Sequence, residues 1–307
     1  MRTNFAKMLF DEAIKNPKIM LLTGDLGYGV WDEFKEKLPR QFINCGVAEQ
    51  TMIGIAGGLS SQNKKVFVYS IANFPTFRCL EQIRNDLVYM ENNVSIVSVG
   101  AGFAYGPQGY THHGIEDISI MRCLGNLKIY SPADKTELEA LMPFLLKSTS
   151  TTYLRLGKGG EPALHTKDIV DVNSPILTNE SNKDSKLKSV YILSCGPIGY
   201  EVNEAVKQIE GLYNYKTFSV PVLDPVIIKD FLLHVNVDLL LTIEEHVVSG
   251  GFGSMILEIL SENEIRLKVK NIGIISNNLK QIGSQKYLRS QNKLDSKSIA
   301  DVIKKNL

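Results

Sequence analysis

The stretch INCGVAEQTMIGIAGGLSS, which begins at Ile43, carries one carboxylate, Glu49, where an apolar helix would start. Two environments suit an acid there. It can face solvent in the first helical turn, favoured by the helix dipole. Alternatively it can be buried among Val47, Ala48, Met52, Ile53, Ile55, Ala56 and Leu59, which leave no evident polar face and predict a helix buried all round. A buried carboxylate needs a partner, because an unpaired buried charge is costly and such a group tends to hold its proton. A ligand nitrogen is one such partner. Phe74 and Phe77 stand just before the helical pattern of EQIRND, suited either to core packing or to the wall of a planar heterocycle. His112 and His113 adjoin in THHG, with no nearby Cys or Asp at convincing zinc-ligand spacing. A histidine at neutral pH can instead exchange protons with a hydroxyl.

These residues must be placed by the elements around them. Short β-rich apolar runs, KIMLLTG, KKVFVYS, NVSIVSVG, LKIYSP and TYLRL, alternate with helical stretches. The helices are VAEQTMIGIAGGL, FRCLEQIRNDLVYMEN and DKTELEALMPFLLKS, the last opening on Asp134 as N-cap. Continuous apolar strands separated by helices predict a parallel sheet covered on both faces. A polar, Asn- and Ser-rich stretch over 166–187 reads as a linker. A second alternating block follows, from SVYILSCG through YEVNEAVKQIEGL, YKTFSVPVL and VDLLLTIEEH to GGFGSMILEILSE. The expected organisation is α/β in two domains, 1–165 and a smaller 188–307.

Composition narrows the partners. The 307 residues suit two domains of about 100–200 residues each. A net charge of +1 supplies no long-range field to gather nucleic acid or an anionic membrane, so small, nearly neutral molecules are expected. No apolar run approaches the roughly 18 residues of a membrane span. The start, MRTNFAKMLFDEAIKN, reads as an amphipathic first helix. Cys45, Cys79, Cys123 and Cys195 lack CxxC or zinc-finger spacing and read as buried free thiols, which fits a reducing cytoplasm.

Taken together, GDLGYGVWDEF, INCGVAEQTMIGIAGGLS, ANFPTFRCLEQIRND, GPQGYTHHGIEDISIMR, YSPADKTELEAL, YLRLGKGG and IEEHVVSGGFGS follow one another as in the carboxy-terminal half of transketolase. The resemblance spans nearly the whole chain. It extends especially to the separately encoded C-terminal subunit of split transketolases. It implies a pyrimidine-binding domain over 1–165 and a transketolase C-terminal domain over 188–307. In that superfamily thiamine diphosphate binds between chains, and a glutamate meets its aminopyrimidine to help activate the thiazolium carbon for ketol transfer. The resemblance places that role on Glu49, puts Phe74 and Phe77 in the pyrimidine wall, with Leu80 as an alternative, and makes His112 the residue that faces substrate. Arg78 and Glu81 are left to an interface or a helix end, His113 without a role, and Asp117 to the start of the next helix.

Departures from the resemblance bear on substrate choice. Transketolases commonly carry Asp four residues before the substrate histidine, where this chain has Gln108, and a basic residue where it has Gly100. Arg155 matches a phosphate-contacting arginine, with Lys158 nearby, which makes it a substrate-binding candidate, a charged strand-end residue being the equal alternative. A specialised sugar pathway follows as an expectation. The Gly-Asp-Gly motif that holds the diphosphate and Mg2+ is broken here as Gly24, Asp25 and Leu26. The chain is therefore expected to need an N-terminal, diphosphate-binding partner subunit, in an α2β2 assembly. Glu244, Glu245 and His246 are read as a structural or interface segment. The alternatives are the beta subunit of a 2-oxoacid dehydrogenase, which decarboxylates, and a non-catalytic scaffold partner. Deoxyxylulose-phosphate synthase is less favoured, since it normally keeps three domains on one chain.

Overall fold

Successive side chains of a strand point to opposite faces of a sheet, so an unbroken apolar run must be covered twice. The computed structural model, which describes residues 1–166, 171–275 and 280–307, covers each run in this way. Strands β1 (Ile19–Thr23), β2 (Phe42–Asn44), β3 (Lys65–Ile71), β4 (Val94–Val99), β5 (Lys128–Tyr130) and β6 (Thr152–Leu156) form a parallel sheet in the order β2-β1-β3-β4-β6-β5. On one face Ile19, Leu21, Phe67 and Val97 pack with Phe5 and Leu9 of α1 (Arg2–Lys15), Phe34 of α2 (Asp32–Lys37) and Leu138 of the helix 135–147. On the other, Met20, Leu22, Val68 and Ile96 meet Met52 and Ile53 of α3 (Glu49–Ser61). Ile83 and Leu87, from the helical run that includes α4 (Leu80–Gln82), join them, as does Ile118 of α5 (Asp117–Arg122).

Helix α6 (Lys135–Lys147) starts at Asp134, whose Oδ1 accepts from the Thr136 and Glu137 amides at 2.9 and 3.1 Å. Its Oδ2 accepts from Leu164 and His165 amides, so one cap also pins the chain leaving the first sheet. His165 Nε2 lies 2.7 Å from Glu137 Oε1, with both side chains nearly sealed from water. Burial alone would lower the imidazole's pKa, but the hydrogen bond to Glu137 and the charges of Glu137 and Asp134 raise it on balance. A raised histidine pKa stabilises the fold fully below the unfolded value of about 6.5, and that contribution disappears as pH rises through the folded value. Urea midpoints should therefore fall with rising pH above about 6.5, and His165→Asn should flatten that slope.

In the second block, β7 (Ile176–Glu180), β8 (Ser189–Cys195), β9 (Asn214–Ser219), β10 (Leu239–Val247) and β11 (Val269–Ile274) form a sheet in the order β11-β10-β8-β9-β7. It is parallel except for β7, which runs antiparallel on β9. Edge strand β7 arises from within the polar stretch read as a linker, of which residues 167–170 lie outside the described residues. Helices α7 (Gly199–Val206), α8 (Pro225–Leu232), α9 (Phe252–Glu262), α10 (Gln285–Gln291) and α11 (Ser296–Asn306) cover this sheet. Phe252, Met255 and Ile256 of α9 share a core with α3 and α5 of the first domain, so apolar packing runs continuously between the sheets.

Two expectations are corrected. Helix α3 is not buried all round: Gln50, Thr51, Gly54, Ile55 and Gly58 form an open face, hidden in the sequence because small and apolar residues occupy it. Of the cysteines, only Cys79 and Cys195 are buried, while Cys45 is half-buried and Cys123 exposed at the end of α5. Among the described residues no helix is long and apolar enough to cross a membrane.

Candidate active site

In a parallel sheet every strand delivers its following loop to the same edge, where α/β proteins place their ligands. Glu49 follows β2, Phe74 and Phe77 follow β3, Gln108 and His112 follow β4, and Lys158 follows β6. Glu49 is the first residue of α3 and is 2% exposed. The loop after β1 packs tightly onto it: a Cβ added to Gly24 would lie 3.3 Å from Glu49 Cγ. The carboxylate is paired, and its partner comes from the chain itself. Arg78 Nη1 donates to Glu49 Oε2 at 2.7 Å, and the guanidinium carbon lies 4.6 Å from the Phe74 ring centre.

Phe74 also meets His112, the ring centres 5.2 Å apart and the planes at 72°, an edge-to-face contact. The loop bearing His112 is held by Asn73, whose Nδ2 donates to the carbonyls of Tyr110 and Thr111 at 3.4 and 3.2 Å. Thr111 Oγ1 lies 2.9 Å from His112 Nδ1. Asn73, Phe74, Phe77, Arg78, Tyr110, Thr111 and Glu116 line an open groove of about 520 Å³. The Tyr110 hydroxyl donates to Glu116 Oε1 at 2.8 Å, and burial raises the pKa of that carboxyl. Phe77 stays 44% exposed, an unusual position for a phenylalanine without a partner.

The two histidines part company. His113 is buried, with Nε2 3.2 Å from the Gly106 carbonyl and its ring against Phe103 at 5.2 Å, and burial lowers its pKa. Gln108 is exposed, on the turn Gly106–Gln108 that precedes the His112 loop.

Arg155 is not brought to this groove. It is 1% exposed as the fourth residue of β6, and Nε donates to Asp117 Oδ2 at 2.8 Å while Nη2 donates to the carbonyls of Gly114 and Glu245 at 2.6 and 3.2 Å. Tyr153 donates to the same Asp117 oxygen at 2.6 Å. Burial opposes the guanidinium's charge most strongly, but Asp117, Cys195 and Tyr153 together outweigh it, and the net shift is upward. Asp117, expected only to support a helix start, is thus a fully buried ion-pair partner. Lys158, by contrast, is exposed, its Nζ 5.2 Å from the Tyr105 ring centre.

Glu244, Glu245 and His246 lie on β10, where the second domain meets the first. His246 donates from Nδ1 to the Val247 carbonyl at 2.7 Å and accepts at Nε2 from the Ile118 amide at 3.2 Å, a neutral tautomer whose pKa burial lowers to about 4. Glu244 accepts from the Phe252 and Gly253 amides at the start of α9, yet burial pushes its pKa up to about 7. Glu245 accepts from the Phe103 amide at 3.1 Å and from Arg289 at 2.7 Å. Sequence reasoning missed Asn73, Arg78 and Glu116 as part of the groove. The signal for Arg78 was a cation four residues after the aromatic pair began, in a segment otherwise uncharged up to Glu81.

A parallel sheet with a buried acid and aromatic residues at its carboxyl edge, packed on a second α/β sheet, defines a two-domain α/β protein whose candidate site could hold a planar nitrogenous ring. The site suits that chemistry, because a planar N–H donor, the Arg78 guanidinium, already fits between Phe74 and Glu49. The chain belongs to the transketolase family: the transketolase pyrimidine-binding domain matches residues 1–160 and the transketolase C-terminal domain matches 179–299. It is 31% identical over 285 residues to one of the subunits of apulose-4-phosphate transketolase from Phocaeicola vulgatus, covering 91% of this chain and 88% of that one. A solved split-gene transketolase, described as an inactive beta4 tetramer, matches with a TM-score of 0.85 and 30% identity over 100% of this chain and 97% of its own. The 1-deoxy-D-xylulose-5-phosphate synthase of Aliivibrio fischeri is 29% identical over 98% of this chain, which spans 48% of that enzyme's length.

Proposed function

We propose that this chain is the C-terminal subunit of a split transketolase, transferring a two-carbon ketol unit from a ketose to an aldose. The observation that carries this reading is Glu49, a carboxylate sealed from water behind Arg78, which lines the strand-end groove with Phe74 and Phe77, while His112 stands edge-on to Phe74. Thiamine diphosphate, when bound, supplies the nucleophilic carbon and the electron sink that cleavage beside a ketose carbonyl requires. Glu49 holds a proton against the ring nitrogen of its pyrimidine, in surroundings dry enough to keep that hydrogen bond strong. Phe74 and Phe77 exclude water from the ring, and His112, free to present Nε2, exchanges a proton with a substrate hydroxyl. Gln108 offers a neutral hydrogen bond to a hydroxyl. The acceptor's anionic group falls to Lys158, because Arg155 is buried with its Nε and Nη2 committed inside the protein.

The reading includes a pyrimidine-binding domain over 1–165, a linker over 166–187 and a C-terminal domain over 188–307, in a cytoplasmic protein. Among the described residues no group of three or more His, Cys, Asp or Glu side chains could hold a metal ion. With the Gly-Asp-Gly motif broken at Leu26, Mg2+ and the diphosphate fall to a partner subunit, most simply in an α2β2 complex. Calorimetric titration of thiamine diphosphate with Mg2+ tests this. Binding is expected only when the partner is present, and tight binding to the chain alone overturns the shared site. Product analysis of the complex with ketose donors, apulose 4-phosphate first because a relative is named for it, and with 2-oxoacids, then decides the reaction. Release of carbon dioxide from a 2-oxoacid without ketol transfer overturns the proposal in favour of a decarboxylating dehydrogenase subunit.

A further inference from the structure

The partner of Glu49 is a side chain that stands where a ligand has to stand. Arg78 lies on the turn Phe77–Cys79, at the wall of the groove, with its guanidinium hydrogen-bonded to Glu49 and placed over the Phe74 ring. We propose that Arg78 is a latch on the cofactor site: it occupies the space between Glu49 and Phe74 in the empty chain and swings away when a pyrimidine ring arrives. This rests on the role of Glu49 given above.

Three features support it. The contact surface is shared, since one face of Phe74 cannot be covered by a guanidinium and a pyrimidine at once. The pair is also lopsided: the Glu49 side chain is 1% exposed and that of Arg78 45%. The carboxylate is fixed at the head of α3, so the half that can move is the long, partly solvated arginine. Arg78 also has somewhere to go. Glu116 lines the same groove, carries a half-buried carboxyl with Tyr110 as a hydrogen-bond donor, and gains a cation when Arg78 leaves Glu49. Glu49 then takes up a proton from solvent and donates it to the ring nitrogen while Arg78 pairs with Glu116, so neither charge is stranded.

A latch lowers the apparent affinity of the ligand by the fraction of molecules in which the site is open. Opening it permanently recovers that factor. An ion pair with one exposed member is weak, so the expected gain is modest, about 3- to 10-fold. The test is calorimetric titration of thiamine diphosphate, at fixed Mg2+, into the complex of this chain with its diphosphate-domain subunit. Arg78→Met removes the charged head that pairs with Glu49 and covers Phe74, and should tighten the dissociation constant by about that factor. In a Glu49→Gln background, where the charged pair is already absent, the same substitution should change it little. Glu116→Gln should loosen binding in the wild-type background and have no effect once Arg78 is Met. Unchanged or weaker binding by Arg78→Met overturns the latch, weaker binding showing Arg78 to be a ligand contact. Melting temperatures with and without cofactor give a second readout, the cofactor-induced rise being larger for Arg78→Met than for wild type. The underlying reading fails separately: if Glu49→Gln turns over at the wild-type rate, Glu49 has no catalytic role, whatever Arg78 does to affinity.

Discussion

Replacing Glu49 by glutamine lowers turnover of the reconstituted complex by about 10²–10⁴-fold, the usual range for removing a positioned acid or base. Glutamine has the shape of glutamate and can still accept a hydrogen bond through its amide oxygen, but it cannot hand over a proton. The fold should survive, because the partner left behind, Arg78, keeps 45% of its side chain in water and loses only a screened ion pair. Circular dichroism and melting curves close to wild type, together with the loss of turnover, identify a chemical role. Loss of turnover with a collapsed melting curve would instead identify a structural one, and Glu49→Asp then separates the two, since it keeps the proton and moves it by one methylene. The effect should appear in kcat more than in affinity for the cofactor, because the proposed site leaves the aromatic wall of Phe74 and Phe77 and the partner's hold on the diphosphate untouched.

Much of the first domain was legible because its physics is local. Strands such as IMLLT and VSIVSV are buried on both faces, which calls for predominantly apolar runs, the two serines of VSIVSV being small enough to be buried with them. Strand β2 escaped notice because it is a three-residue edge strand, half-buried, with no run to display. Strand β7 escaped because ILTNE is polar enough for the solvent-facing side of an edge, and it pairs antiparallel through contacts with β9 that lie far off in sequence. Helix α11 buries only Ile299, Ala300 and Ile303, a narrow stripe in a charged segment.

The site divides in the same way. Residue types and family resemblance pointed to Glu49, Phe74, Phe77 and His112, and these lie on three loops at one edge of the sheet. Their partners were illegible, because Arg78 reaches Glu49 across 29 residues and Asp117 reaches Arg155 across 38. One clue was nevertheless available for Arg155. TYLRL is a central strand with apolar residues on both sides of the charge, and a guanidinium there can be stable only against a buried anion. A charged strand-end residue reaching solvent would have needed the strand to stop two residues earlier.

Arg155→Met should therefore act on stability rather than on substrate affinity. Removing one member of a buried pair leaves Asp117 uncompensated at 0% exposure, with Tyr153 as its remaining close donor, and costs about 3–5 kcal/mol. At roughly 2–4 °C per kcal/mol for a protein of this size, the melting temperature should fall by about 6–20 °C. Arg155→Lys should recover only part of this, because an ammonium cannot serve Asp117, Gly114 and Glu245 from one rigid fork. The double variant Arg155→Met with Asp117→Asn should be more stable than Arg155→Met alone, since it removes the stranded charge, and that non-additivity distinguishes a lost ion pair from a simple packing defect. A consequence for catalysis follows from the geometry. The Gly114 carbonyl held by Arg155 closes the loop that carries His112, and the Glu245 carbonyl held by the same nitrogen belongs to the second domain. One buried cation thus ties the histidine loop to the domain behind it. In the variants that still fold, kcat should drop while the KM for a phosphorylated acceptor stays near wild type, whereas Lys158→Ala should raise that KM and leave the melting temperature alone. The opposite pattern, a raised KM with an unchanged melting temperature for Arg155→Met, would return Arg155 to the substrate.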